Sequence, residues 1–120
     1  MSERLALVVD DHPTNRLLAV ALLKKLGWTA QEADSGETAI RLTATRQPQL
    51  VLLDISMPGL SGEETCTRLR QTANGAALRI IAYTAHAYPE ERAAFLAAGF
   101  DDVLVKPISR QRLAELVGGL

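Results

Sequence analysis

Hydrophobic and polar positions alternate between two regimes along the chain. Short, mainly apolar runs at residues 5–9 (LALVV), 50–53 (LVLL), 78–83 (LRIIAY) and 103–105 (VLV) predict strands, and the unbroken LVLL is of the kind that a strand covered on both faces shows. Residues 29–33 (TAQEA) predict a further strand, polar enough to lie near a sheet edge. Helical stretches separate these runs. Pro13 suits the first position of a helix that carries Leu17, Leu18, Ala21, Leu22 and Leu26, and Gly27 can close it in a left-handed conformation. Asp34-Ser35-Gly36 opens a second helix, with Ala39, Ile40, Thr43 and Ala44 available for its inner side, and Pro48 ends that segment.

Ser61 to Ala73 predicts a third helix, stopped by Asn74-Gly75, with Ser61 at the N-cap and Glu64 at the third helical position as a capping box requires. Pro89, Glu90 and Glu91 open a fourth, with acids where the helix dipole favours them. Its body, Ala93, Ala94, Ala97 and Ala98, buries little area per residue before Gly99 closes it, so it is expected to be held less firmly than the others. Ser109 caps a last helix whose Leu113, Leu116, Val117 and Leu120 fall on one apolar face. Five strands alternating with five helices predict an α/β domain with a parallel sheet covered on both sides. The flavodoxin-like (βα)5 order 2-1-3-4-5 places the first and third strands together at the topological switch point.

Composition adds limits rather than chemistry. The 120 residues suit one domain spanning 1–120, and 48% apolar with 22% charged residues is ordinary for a globular protein. A net charge of −1 offers no basic field for nucleic acid. One cysteine, Cys66, precludes an internal disulfide and fits a reducing compartment. No apolar run is long enough for a membrane span, and no signal peptide opens the chain, so a cytoplasmic domain, or the cytosolic part of a larger membrane-anchored protein, without direct membrane contact is expected. The chain ends just after the last helix, so no output domain is expected.

The chemistry concentrates at strand ends. The segment 50–62, LVLLDISMPGLSG, runs from an apolar strand straight into Asp54, then through a turn into a capped helix. A buried unpaired carboxylate is costly, so Asp54 belongs at the C-terminal edge, where open parallel sheets place their ligands. Asp10 and Asp11 end the first strand. Taken alone they read as caps for the helix that Pro13 enters. Taken with Asp54 they make three carboxylates in one cleft, which calls for a cation or for raised pKa values. Oxygen-only ligands at a wet edge favour Mg²⁺. Thr84 after the fourth strand adds a hydroxyl, and Lys106 after the fifth adds an ammonium. That inventory suits a phosphoryl group, which Asp54 can take as an acyl phosphate.

Four motifs at strand ends, VVDDHPTNR, LLDISMPGLSG, IIAYTAHA and DDVLVKPIS, resemble the receiver domain of two-component response regulators and hybrid sensor kinases over essentially the whole chain. The resemblance implies that Asp54 is the phosphoacceptor. Asp11, Asp54 and the carbonyl of Ser56 would bind Mg²⁺ directly, and Asp10 through a metal-bound water. Thr84 would hydrogen-bond the phosphoryl oxygens, and Lys106 would pair with the phosphate or, in its absence, with Asp54. The Lys106–Pro107 peptide would be cis. DDHPTNR and TAHA are more similar to hybrid-kinase receivers than to DNA-binding regulators. The expected partners are therefore a histidine kinase and a histidine phosphotransfer domain, with the isolated domain a monomer and a stand-alone regulator the alternative.

One position departs from the pattern. Three residues before the lysine, where receivers often carry a Tyr or Phe that swings inward, stands Val103, whose β-branched side chain cannot make that motion. Phosphorylation is thus expected to change the surface of the fourth helix, fifth strand and last helix only weakly. The resemblance also implies that Ser56 and His86, which lies two positions beyond Thr84, would tune hydrolysis of the acyl phosphate, while His12 reads as a loop residue beside the acids. Cys66 reads as a small hydrophobe, Trp28 as packing at a helix end, and Arg110 and Arg112 as a solvated face. A Mg²⁺-dependent phosphatase of the haloacid dehalogenase kind wants an Asp-x-Asp pair, but here the acids are adjacent. A degenerate interaction module would not need the full acid, Thr and Lys set, and no G-x-G-x-x-G follows the first strand.

Overall fold

The computed structural model describes residues 4–72, 75–85 and 88–118. Five strands, β1 (Leu5–Val9), β2 (Thr29–Ala33), β3 (Leu50–Asp54), β4 (Arg79–Thr84) and β5 (Asp102–Val105), form one parallel sheet in the order β2-β1-β3-β4-β5. The polar β2 lies at an edge, as its composition predicts. The helices are α1 (Pro13–Lys25), α2 (Gly36–Thr45), α3 (Gly62–Arg70), α4 (Pro89–Ala98) and α5 (Arg110–Val117).

Strand alternation divides the core in two. Ala6, Val8, Leu50, Leu52, Ile81, Tyr83 and Leu104 face one side, against Ala19, Val20 and Leu23 of α1 and Leu113, Leu116 and Val117 of α5. Leu7, Val9, Val51, Leu53, Ile80, Ala82 and Val103 face the other, against Ala39 of α2, Cys66 and Leu69 of α3 and Phe95 of α4. Each fully buried Leu, Ile or Val contributes about 1.5–3 kcal/mol of transfer free energy, which makes the central strands the main source of stability. Trp28, next to the left-handed Gly27, joins the α1/α5 core.

Several elements depart from the sequence expectation. Along α1 the inner side is Ala19, Val20 and Leu23, Leu22 and Leu26 are half-buried, and Leu17 and Leu18 are exposed. In α2 Ala39 and Thr43 are buried and Ala44 is exposed. Helix α3 ends at Arg70, short of the expected Ala73; Ala73 and Asn74 lie outside the described residues, and Gly75–Ala77 forms a 3₁₀ turn. The anchor of α4 is Phe95, whose ring meets that of Phe100 edge-on with centroids 5.9 Å apart, rather than its alanines. Leu120 lies outside the described residues, and the other three apolar positions of α5 are buried.

The entries to β4 and β5 are tied together by one side chain. Arg70, at the end of α3, donates to the carbonyls of Gly99 (3.1 and 2.7 Å), Gly75 (2.8 Å) and Leu78, and to Asp101 Oδ2 (2.7 Å). The same Asp101 oxygen accepts the Ile80 N–H at 2.7 Å. Gly99 closes α4 at φ 114°, a conformation that glycine adopts without the usual Cβ penalty.

Candidate functional site

The alternation that builds the α1/α5 core also aims the functional side chains. Asp10 follows Val8 by two positions, Asp54 follows Leu52 and Lys106 follows Leu104, so the period of two sends all three toward the same side of the sheet at its C-terminal edge. The pairing of β1 with β3 brings the first two strand ends together. Asp10 and Asp54 are buried, at 0% and 1% exposure, and Asp11 is half-buried. Ligand atoms of Asp10, Asp11, His12 and Asp54 all lie within 4.8 Å of one another.

Hydrogen bonds satisfy half of each buried carboxylate. Asp10 Oδ1 accepts the His12 N–H at 2.9 Å, and Asp54 Oδ1 accepts the Ser56 N–H at 3.0 Å, which fixes the turn after β3. Asp10 Oδ2, Asp11 Oδ1 and Asp54 Oδ2 are buried without a hydrogen-bond donor. Lys106 Nζ stands 3.3 Å from Asp54 Oδ1 and 3.8 Å from Asp10 Oδ2, one cation shared by two acids. His12 Nδ1 lies 3.0 Å from Asp11 Oδ1 and 3.4 Å from Asp10 Oδ1, on an exposed side chain. Burial pushes the Asp54 carboxyl above its ordinary range and the Asp10 charge adds to the push, against the Ser56 N–H and the Lys106 ammonium.

The capping alternative for the acids does not hold. The N-cap of α1 is His12, no side chain caps it, and Pro13 occupies the first turn. At α3 the predicted cap is present, with Ser61 Oγ accepting the Glu64 N–H at 3.1 Å. Gly62 begins that helix so close to the loop after β3 that a Cβ there would meet Ile55 Cα at 2.9 Å and the Asp54 carbonyl at 3.1 Å. The bare glycine thus lets α3 press the Asp54 loop into place.

Thr84 is the last residue of β4, not the first beyond it, and is buried at 8% exposure beside the end of β3. The Lys106 N–H donates to its carbonyl at 2.7 Å, and the Lys106–Pro107 peptide is cis. Ser56 is exposed at the rim. His86, expected to border the site, lies outside the described residues. Val103 is buried on the α2–α4 side. Cys66 is buried and desolvation raises its thiol pKa, in keeping with an inert small hydrophobe. Arg112 lies near Asp102 (3.9 Å) and Glu115 (3.5 Å), a solvated ion network.

One contributor to the site escaped the sequence reading. Tyr83 is buried beneath the cleft, in register with Asp54, and the Lys106 ammonium lies over its ring, 4.8 Å from the centroid. A tyrosine at the end of an apolar strand reads as core, and only the fold reveals what stands on its ring.

Known proteins share this architecture. The response regulator receiver domain family matches residues 6–118. The sensor histidine kinase GacS of Pseudomonas protegens is 40% identical over 114 residues, covering 92% of this chain and 12% of that protein, so the chain spans about an eighth of this relative's length. An uncharacterised 14.6 kDa protein of Leptolyngbya boryana is 38% identical over 111 residues, covering 92% of this chain and 85% of that protein. Among solved structures, the receiver domain of the sensor histidine kinase PA1611 from Pseudomonas aeruginosa, described with a magnesium ion in its active-site cleft, is 31% identical with a TM-score of 0.86, covering 96% of this chain and 94% of that one. With the predicted strand order, the acidic cleft and a family match over nearly its whole length, this chain belongs to the response regulator receiver family of two-component signalling.

Proposed function

We propose that the domain, taken as one receiver spanning residues 1–120, accepts a phosphoryl group from a phosphohistidine onto Asp54 and passes it to a histidine phosphotransfer domain. The observation that carries this reading is the set of buried carboxylate oxygens without donors, on Asp10, Asp11 and Asp54, beside a single lysine. Such oxygens are too costly to keep for stability alone, and their all-oxygen chemistry fits a hard divalent cation. Asp10, Asp11, Asp54 and the Ser56 carbonyl would hold Mg²⁺, with Asp10 acting through water. The ion would supply positive charge against the phosphoryl oxygens.

The remaining work falls to side chains of this domain. An Asp54 carboxylate oxygen attacks phosphorus, the P–O bond forms as the P–N bond to the donor imidazole breaks, and the imidazole leaves. Lys106 and the Thr84 hydroxyl meet the equatorial oxygens, whose neutralisation is the main demand of phosphoryl transfer. Attack by a second imidazole, or by water, takes the group off again. The kinship with sensor histidine kinases supports a relay role with a kinase or phosphotransfer domain as partner; a cytoplasmic location and a monomeric isolated domain are part of the same proposal. A stand-alone regulator is the second reading, favoured by the small relative of which this chain covers 85%.

The test is intact mass after incubation with acetyl phosphate and Mg²⁺. The wild-type chain is expected to gain one phosphoryl group and Asp54→Asn none. Uptake by Asp54→Asn, or none by the wild type, would overturn the assignment. Turnover of general phosphate esters would instead favour a phosphatase.

A further inference from the structure

We infer that Tyr83 is a positioning residue for the phosphoryl-transfer chemistry: its buried ring is the wall that holds the Lys106 ammonium between Asp54 and Asp10. The inference rests on the proposed role of Asp54 and deepens it.

Three observations converge on it. Lys106 follows the last residue of β5 on a flexible four-carbon stem, with its side chain 22% exposed, so its own backbone does little to fix the ammonium. The ammonium nonetheless stands close to both carboxylates and over the Tyr83 ring. A cation is attracted to the face of an aromatic ring, and the attraction strengthens where water is excluded. Tyr83 itself cannot drift. It is 2% exposed, paired in register with Asp54 on one side and Leu104 on the other, and packed in the core formed by α1 and α5. Its phenol is pushed up to about 12, by burial first and then by the Asp10 and Asp54 charges, so the ring stays neutral and adds no competing anion.

The ring thus closes the apolar side of the ammonium and leaves its donors to the acids. An aliphatic residue of similar bulk would fill the space without attracting the cation, and the ammonium would spread over more of the open cleft. Since the transfer reaction depends on charges already in place, that spread should slow it.

The experiment compares wild type, Tyr83→Phe, Tyr83→Met and Tyr83→Leu by two readouts. Lys24, Lys25 and Lys106 are the three lysines of the chain, so ¹³C-lysine labelling gives a spectrum with few signals. In the wild type and in Tyr83→Phe, the Lys106 ε-methylene should be displaced by the ring current from the exposed Lys24 and Lys25. In Tyr83→Met and Tyr83→Leu it should return to their position. The maximal rate of Asp54 phosphorylation by acetyl phosphate should fall about tenfold in the Met and Leu variants and stay near wild type in Tyr83→Phe. Mg²⁺ affinity should be the same in all four, which a general loosening of the cleft would not allow. A wild-type Lys106 signal coincident with those of the exposed lysines overturns the inference without use of any variant. So does a Met or Leu variant that loses the displacement yet reacts at the wild-type rate. A displaced signal in a wild-type protein that takes up no phosphoryl group overturns instead the phosphoacceptor role of Asp54, and with it any consequence of Tyr83 for transfer.

Discussion

The two edges of the sheet solve the problem of buried polar groups in opposite ways. At the entering edge Arg70 and Asp101 meet carbonyls, an N–H and each other, so that charge and hydrogen bonding are matched in one cluster. At the exiting edge, oxygens of Asp10, Asp11 and Asp54 crowd within 4.8 Å of one another, and each of the three carboxylates keeps one buried oxygen without a hydrogen-bond donor. The first arrangement is what folding selects for itself. The second costs folding free energy and makes sense only if something outside the chain completes it.

That contrast can be broken most sharply at Arg70. Arg70→Met should cost roughly 3 kcal/mol in urea unfolding, because it strips donors from several part-buried carbonyls and leaves Asp101 without its cation. A loss under about 1 kcal/mol would show the clamp to be ornamental. At the other edge a ligand should do what the sequence omits. Mg²⁺ at a hundred times its dissociation constant should stabilise the wild type by about 2.7 kcal/mol, and Asp11→Asn should lose most of that gain at the same concentration. Equal stabilisation of both proteins would place the ion elsewhere.

A smaller effect is expected from Asp54→Asn without metal, a gain of about 1 kcal/mol, since the amide keeps an acceptor for the Ser56 N–H and removes a buried charge. Its pH dependence has a definite sign. The folded-state pKa of Asp54 is raised above the ordinary carboxylate value, so between the unfolded and folded pKa the folded chain binds more protons than the unfolded one. This group therefore lowers stability as pH rises through that window, and its penalty is complete above the raised pKa. The advantage of Asp54→Asn should grow from near zero below the ordinary carboxylate pKa to a plateau above the raised one. A constant difference across the range would contradict the shift. Smallest of all should be the response of the α4–β5–α5 surface to a phosphoryl mimic, because Val103 is buried among Phe95 and its neighbours and has no swing to make. Amide shifts there as large as those in the cleft would refute this.

Much of this was legible beforehand because a period of two carries far. Once LVLL and LALVV are read as strands covered on both faces, the positions of Asp54 and Asp10 follow, and the alternation of elements leads to the strand order seen. The inner face of α1 was not legible. LLAVALLKKL is apolar on nearly every side, so spacing alone cannot choose Ala19, Val20 and Leu23 over Leu17 and Leu18. Phe95 was overlooked among alanines that suggested a weakly anchored helix. The Arg70 cluster and the ring under Lys106 depend on carbonyls and side chains that meet only after folding, and no local pattern announces them.

Parallel winding also sorts the connections of this chain by edge. A strand of five residues rises roughly 16 Å, so the link between α1 and β2, on the entering side, stands about that far from the carboxylates. A fluorophore or short epitope grafted there would report on the domain without intruding on the chemistry. For a protein engineer, the molecule offers one rim for handling and another to be left alone.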